Sequence, residues 1–126
     1  MPPPKRILIV DDEPLLTELL AFKLQARGYE ALVAHNGREA LTIFEEAKPH
    51  AVVLDTMMPV HDGLEVLRRI RSSHDRGTVP VIMLSARRGE SDIIGALELG
   101  ADDYLIKPFL PEELMVRLNR LLASPR

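Results

Sequence analysis

Five short apolar runs alternate along the chain with five segments of helical periodicity, and few architectures accept that alternation. Ile7-Leu8-Ile9-Val10, Val52-Val53-Leu54 and Val81-Ile82-Met83-Leu84 are continuously apolar, as strands covered on both faces are. Tyr29 to Ala34 carries Glu30 and is expected at a sheet edge; Asp103 to Ile106 is the fifth run. Short connections throughout argue for an α/β fold of (βα)5 type, a doubly wound parallel sheet with helices on both faces. In such an open sheet, ligands bind beyond the carboxyl ends of the strands. Asp11-Asp12 stand at that end of the first strand, Asp55 of the third, Ser85 of the fourth and Lys107 of the fifth.

The helices have ordinary boundary signals. The first opens at Asp11-Asp12-Glu13-Pro14, with acids where the dipole favours them, and runs to about Arg27 before Gly28. Its Leu15, Leu16, Leu19, Leu20, Phe22 and Leu24 spread over roughly 200°, wider than the roughly 100° stripe of one buried face. Deep packing between neighbours is expected; the alternative is that part of the arc docks a partner helix. Arg38 to Ala47 is the second helix, after Asn36-Gly37 and before Lys48-Pro49. Asp62-Gly63 starts the third, with Leu64, Val66, Leu67 and Ile70 inward and Arg68, Arg69 and Arg71 on the solvated face. Ser91 is expected to cap the fourth, which ends at Leu99 before Gly100 and carries Gly95, a cost of about 1 kcal/mol relative to alanine. Pro111 to Ala123 is the last helix, and Ser124-Pro125-Arg126 is either a native end or the start of a linker.

With 126 residues, 46% hydrophobic and 28% charged, the chain has the composition of a single globular domain, residues 1–126, with an extended arm at 1–5. A net charge of −3 argues against nucleic-acid binding through this domain. The absence of cysteine excludes disulfides and thiolate metal sites and agrees with a cytoplasmic location. The N-terminus lacks the apolar stretch of a signal peptide, and no segment nears the roughly 20 residues needed to span a bilayer, so no membrane partner is expected. His35, His50, His61 and His74 have no ligand spacing and read as surface residues, with only His61 near enough to the strand ends to modulate them.

Three carboxylates brought together do not all stay ionised without a counter-charge. A hard divalent cation supplies it, and Mg²⁺ suits oxygen ligands shared between carboxylates and water, with Mn²⁺ as an alternative. A carboxylate so held is also a nucleophile toward phosphorus. The moving phosphoryl group then needs positive charge on its equatorial oxygens and a hydroxyl donor to orient it. Asp55, Asp11, Asp12, Lys107 and Ser85 cover these roles.

On these residues the chain resembles the response-regulator receiver domains. The resemblance rests on Asp11-Asp12, Asp55 within Leu-Asp-Thr-Met-Met-Pro, Asp62-Gly63, Ser85-Ala86 and Tyr104-Leu-Ile-Lys107-Pro108-Phe109, and it covers essentially the whole chain. It implies a flavodoxin-like strand order, 2-1-3-4-5. It implies phosphorylation of Asp55 and Mg²⁺ held by Asp11, Asp12, Asp55 and the backbone carbonyl of Met57. Lys107 would pair with the phosphoryl group, with its bond to Pro108 cis; Ser85 would move toward the phosphate and Tyr104 turn inward with it. Met57 and Arg87 would flank the phosphoryl group and influence its lifetime. The implied phosphodonor is a histidine kinase or histidine phosphotransfer protein, and the domain itself catalyses the transfer. The helix 4–strand 5–helix 5 face would then control an output partner or effector domain, with homodimerisation on phosphorylation a further outcome.

Departures from the family pattern qualify that face. Asp102, Asp103, Glu113 and Arg117 fit a charge-paired dimer, but Ile93 and Gly95 stand where basic residues are common, leaving Glu113 without a partner. Ile93 is expected exposed with Ile94 and Leu97 buried, which suggests an apolar output contact, and Gly95 marks the helix as the low-stability element that rearranges. Two other functions compete. A phosphatase turning over through an aspartyl phosphate would want an acid two residues after the nucleophile, where Met57 stands. A pseudo-receiver that only binds partners would lack Asp55, Asp12 or Lys107, and all are present.

Overall fold

The computed structural model describes residues 3–58 and 62–123. Five parallel strands, β1 (Arg6–Val10), β2 (Glu30–Ala34), β3 (Ala51–Asp55), β4 (Val81–Ser85) and β5 (Asp103–Ile106), form one sheet in the order β2-β1-β3-β4-β5. Helices α1 (Pro14–Ala26), α2 (Gly37–Ala47), α3 (Gly63–Arg71), α4 (Glu90–Glu98) and α5 (Pro111–Ala123) complete five βα units. This is the flavodoxin-like order, with β2 at one edge as Glu30 suggests. His61, whose proximity to the strand ends was expected, and the terminal segments 1–2 and 124–126 lie outside the described residues.

Strand alternation divides the core in two. Leu8, Val10, Val52, Leu54, Val81 and Met83 point to the side of α2, α3 and α4, where Phe44, Val66, Leu67, Ile70 and Ala96 meet them. Ile7, Ile9, Val53, Ile82 and Leu84 point to α1 and α5, against Leu20, Leu24, Leu114, Met115 and Leu118. Each fully buried aliphatic side chain contributes about 1.5–3 kcal/mol. Both faces are therefore closed, and the strand ends are where polar chemistry is free to stand.

The helices correct several expectations. α1 is not packed deeply all round: Thr17, Leu20 and Leu24 are buried, whereas Leu15 is 82% and Phe22 70% exposed. Its wide arc exceeds what the sheet and α5 cover, because one helix face can meet only one layer. It ends at Ala26 rather than Arg27, and the amide of Tyr29 donates back to Leu24, which delays β2 to Glu30. Gly89, not Ser91, is the N-cap of α4. Ile94 and Leu97 are the exposed pair and Ile93 is half-buried, the reverse of the expected order, because α4 turns small Ala96 toward the sheet.

Arg71 is not on the solvated face. Its guanidinium donates to the carbonyls of Gly100 (2.8 Å), Gly77 (3.1 Å) and Val79 (2.6 Å) and pairs with Asp102 (2.9 Å). Asp102 also accepts the amide of Val81 at 2.8 Å, so its carboxylate is engaged in this intramolecular clasp. Glu113 has a partner within its own helix, Arg117 at 2.9 Å, which also pairs with Asp103 at 2.6 Å. His35, His50 and His74 lie at the surface, His50 with its Nδ1 accepting the amide of Arg6 at 2.9 Å.

Two helical glycines differ in what surrounds them. At Gly63 a β-carbon would lie 2.0 Å from the carbonyl oxygen of Asp55 and 2.8 Å from the α-carbon of Thr56, both immobile backbone. At Gly95 it would meet nothing within 4 Å. Gly63→Ala is therefore expected to destabilise the domain by at least about 2 kcal/mol through overpacking. Gly95→Ala is expected to stabilise it by up to about 1 kcal/mol through helix propensity. Thermal melts of the two variants check the opposite signs.

Candidate functional site

The strand register levels the carboxyl ends that carry the site. Val10 is paired with Leu54, Asp55 with Leu84 and Ser85 with Ile106, so Asp11, Asp55, Ser85 and Lys107 emerge at one rim. Asp11 leaves β1 with its amide bonded to Ala34, and its Oδ1 accepts the amide of Glu13 at 3.0 Å. That bond turns the chain into α1, whose N-cap Glu13 makes no side-chain cap of its own. Asp62 caps α3 through the amide of Glu65, and the amide of Gly63 donates to the carbonyl of Thr56, fixing the return of the β3–α3 connection.

Oxygen atoms of Asp11, Asp12 and Asp55 all lie within 4.8 Å of one another. Asp11 is fully buried, Asp55 is 4% exposed and Asp12 is open to solvent. Lys107 Nζ lies 2.8 Å from Asp11 Oδ2 and 3.5 Å from Asp55 Oδ1. The four groups carry −3 + 1 = −2 when all are ionised. Like charges this close repel one another, and the single ammonium leaves the cluster with a net negative charge. Burial first, and then the charge of Asp11, push the Asp55 carboxyl up from 3.8 to about 6, while Lys107 and the Met57 amide pull the other way. Burial disfavours the charged form of Lys107, but its bond to Asp11 and the nearby Asp55 outweigh that and raise it. This donor set, hard oxygens with excess negative charge and one open edge at Asp12, fits a divalent cation of the Mg²⁺ type.

The remaining sequence-assigned residues stand close by. The Met57 amide faces Asp55 Oδ1 at 3.4 Å, and its side chain is exposed. Ser85 is fully buried; its Oγ accepts from Thr56 Oγ1 at 2.8 Å and from the Arg87 amide at 3.0 Å. Tyr104 is half-buried on β5, and its hydroxyl donates to the Arg87 carbonyl at 3.0 Å. The Lys107–Pro108 bond is cis. Thr56 was missed by sequence reasoning. Its signal was the parallel register, which sets the residue after Asp55 beside the residue after Leu84. A cavity of about 520 Å³ adjoins this cluster, lined among others by Thr56, Met57, Leu64, Arg87, Gly95 and Tyr104.

Comparison with known proteins agrees with this geometry. Residues 7–119 match the family model of the response regulator receiver domain. The transcriptional regulatory protein TrcR of Mycobacterium tuberculosis is 49% identical over 119 residues, 94% of this chain and 46% of that protein. The chain spans about half the length of the curated relatives it matches. A putative response regulator from Chloroflexus aurantiacus superposes with a TM-score of 0.90 at 39% identity, covering 96% of this chain and 99% of that one. The receiver domain of the sensor histidine kinase PA1611 from Pseudomonas aeruginosa, solved with magnesium in its active-site cleft, superposes at 0.87 and 32% identity over 96% and 99% of the two chains. With the sheet order, the acidic rim and the family match in agreement, this chain belongs to the response regulator receiver domains of two-component signalling.

Proposed function

We propose that this domain accepts a phosphoryl group on Asp55 and passes the change to an output partner through its α4–β5–α5 face. The single observation that carries this reading is the placement of Asp55, 4% exposed, beside two further acids and a lysine that bridges it to Asp11. Asp11, Asp12, Asp55 and the Met57 carbonyl would hold Mg²⁺, which when bound would supply positive charge that favours the ionised form of Asp55 and screens the incoming phosphoryl oxygens. An Asp55 carboxylate oxygen forms the bond to phosphorus while the bond from phosphorus to the donor, a histidine of a kinase or phosphotransfer protein, breaks. Lys107 stays protonated and meets an equatorial oxygen of the transferred group. Ser85 donates its hydroxyl to another, and Tyr104 follows through Arg87.

Two exposed surfaces suit the partners of such a cycle. Leu15, Leu19 and Phe22 form an apolar stripe on α1 at helical spacing, the docking alternative of the sequence reading, and this stripe would receive a helix of the phosphodonor. Ile94, Leu97 and Val116 give α4 and α5 an apolar character suited to an output domain or a second receiver. TrcR is named a transcriptional regulator, which supports a transcriptional output. No helix of the described residues is long and apolar enough to cross a membrane.

Incubation with Mg²⁺ and a small phosphodonor is expected to give one acid-stable, base-labile phosphoryl adduct, lost in Asp55→Asn. An adduct that persists in that variant, or none on the wild type, contradicts the assignment. Metal-free stability carries a second expectation. The folded-state value of Asp55, about 6, lies above its ordinary 3.8, so the neutral form is favoured by folding. Its contribution is complete below about 3.8 and is lost as pH rises through about 6. At about pH 7.5 in chelator, Asp55→Asn should therefore melt above the wild type, by up to about 3 kcal/mol of stability, with the gap closing toward pH 4. Mg²⁺ at about pH 7.5 should narrow the gap by stabilising the wild type, which differential scanning calorimetry reads directly.

A further inference from the structure

We infer that Thr56 is a positioning residue that latches the Ser85 hydroxyl away from Asp55, so that its bond sets how readily the phosphorylated form switches. The inference rests on the phospho-acceptor reading above. Thr56 follows Asp55 directly, its amide is bonded to Leu84 at 3.0 Å, and it therefore stands beside Ser85 at the end of β4. Both side chains are buried, at 7% and 0% exposure. Thr56 Oγ1 donates to Ser85 Oγ at 2.8 Å and the Arg87 amide donates to the same atom at 3.0 Å. Two donors on one hydroxyl oxygen occupy both its lone pairs and anchor it toward Thr56 and the β4–α4 loop. Among the described residues, Ser85 has no hydrogen bond to Asp55.

A buried hydroxyl gives up a partner only when it gains another. Ser85 keeps its own proton to donate, and on the inferred latch, turning it to a phosphoryl oxygen on Asp55 draws the Ser85 oxygen away from Thr56. The same movement acts on Arg87, whose amide holds Ser85 and whose carbonyl holds the Tyr104 hydroxyl. Thr56, Ser85, Arg87 and Tyr104 thus form one hydrogen-bonded chain from the residue next to Asp55 to the outer strand β5. Thr56 is its only member adjoining Asp55 in sequence, and its hydroxyl stabilises the arrangement seen here. Removing that hydroxyl leaves the Ser85 site poorer in partners before phosphorylation and unchanged after it, which favours the phosphoryl-facing form.

The test uses the whole 126-residue chain with Mg²⁺ and beryllofluoride as the phosphoryl mimic, followed by amide NMR signals of Ser85 and Arg87. Thr56→Val is expected to half-saturate at an about five-fold lower beryllofluoride concentration than the wild type, the equivalent of about 1 kcal/mol for one buried neutral hydrogen bond. Thr56→Ala, which adds no methyl beside Ser85, should shift the same way and keeps the test readable if the valine variant misfolds. Thr56→Ser retains the hydroxyl and should match the wild type. In a Ser85→Ala background the gain from Thr56→Val should vanish, since the latch acts only through Ser85. Equal or weaker binding by both hydroxyl-free variants, a gain in Thr56→Ser, or an undiminished gain without Ser85 overturns the latch. A wild type that binds no beryllofluoride overturns the phospho-acceptor reading instead, so the two failures are distinguishable.

Discussion

The site depends on one reach across the sheet. Lys107 follows β5 at the edge of the order β2-β1-β3-β4-β5, yet its ammonium contacts Asp11 beyond β1 and Asp55 at the end of β3. Neighbouring strands are about 4.8 Å apart, so the side chain crosses the end of β4 on its way. Ser85, small and fully buried, ends β4, and its carbonyl accepts the Lys107 amide at 2.8 Å. Were the strand ends not level, the lysine would not reach the acids. The parallel register therefore does more than hold the sheet: it brings charges of both signs to one rim, where the two closed apolar faces leave them nowhere else to go.

From that contact the chemistry follows by charge balance. One ammonium against three carboxylates leaves the cluster short of positive charge, and burial, followed by the charge of Asp11, pushes Asp55 toward its neutral form. Gly63 supports the arrangement from behind, because its missing side chain lets the start of α3 press on the backbone of Asp55 and Thr56. Asp55 is thus held by packing, biased by its neighbours and approachable from the side of Asp12.

Most of this was legible in the chain because strands buried on both faces declare themselves as continuous apolar runs, and the residue ending each run is then at the rim. Asp11, Asp12, Asp55, Ser85 and Lys107 stand where that logic sets them. The helices were less legible, since periodicity gives a face but not the depth of the layer it meets. The arc of α1 was too wide for the single layer available, so Leu15 and Phe22 remain at the surface. In α4 the choice between Ile93, Ile94 and Leu97 turned on a helix rotation set by Ala96, which no pattern of apolar residues encodes. Arg71 looked like one of three equivalent surface arginines; its carbonyl partners lie in two loops, Gly77 and Val79 soon after α3 and Gly100 before β5, which helix periodicity does not bring together. Thr56 was passed over because a hydroxyl after a strand has no signature until the neighbouring strand is known.

On the proposed reading a divalent cation would complete the carboxylate cluster and hold Asp55 in its ionised form. Calorimetric titration of the metal-free domain with Mg²⁺, in buffers of different ionisation enthalpy, tests it most directly. At about pH 6, where Asp55 is about half protonated, binding should release a substantial fraction of a proton, and at about pH 8 almost none. In Asp55→Asn the release at about pH 6 should be absent. Binding heats at that pH that do not depend on the buffer, or the same proton release from Asp55→Asn, would contradict the account.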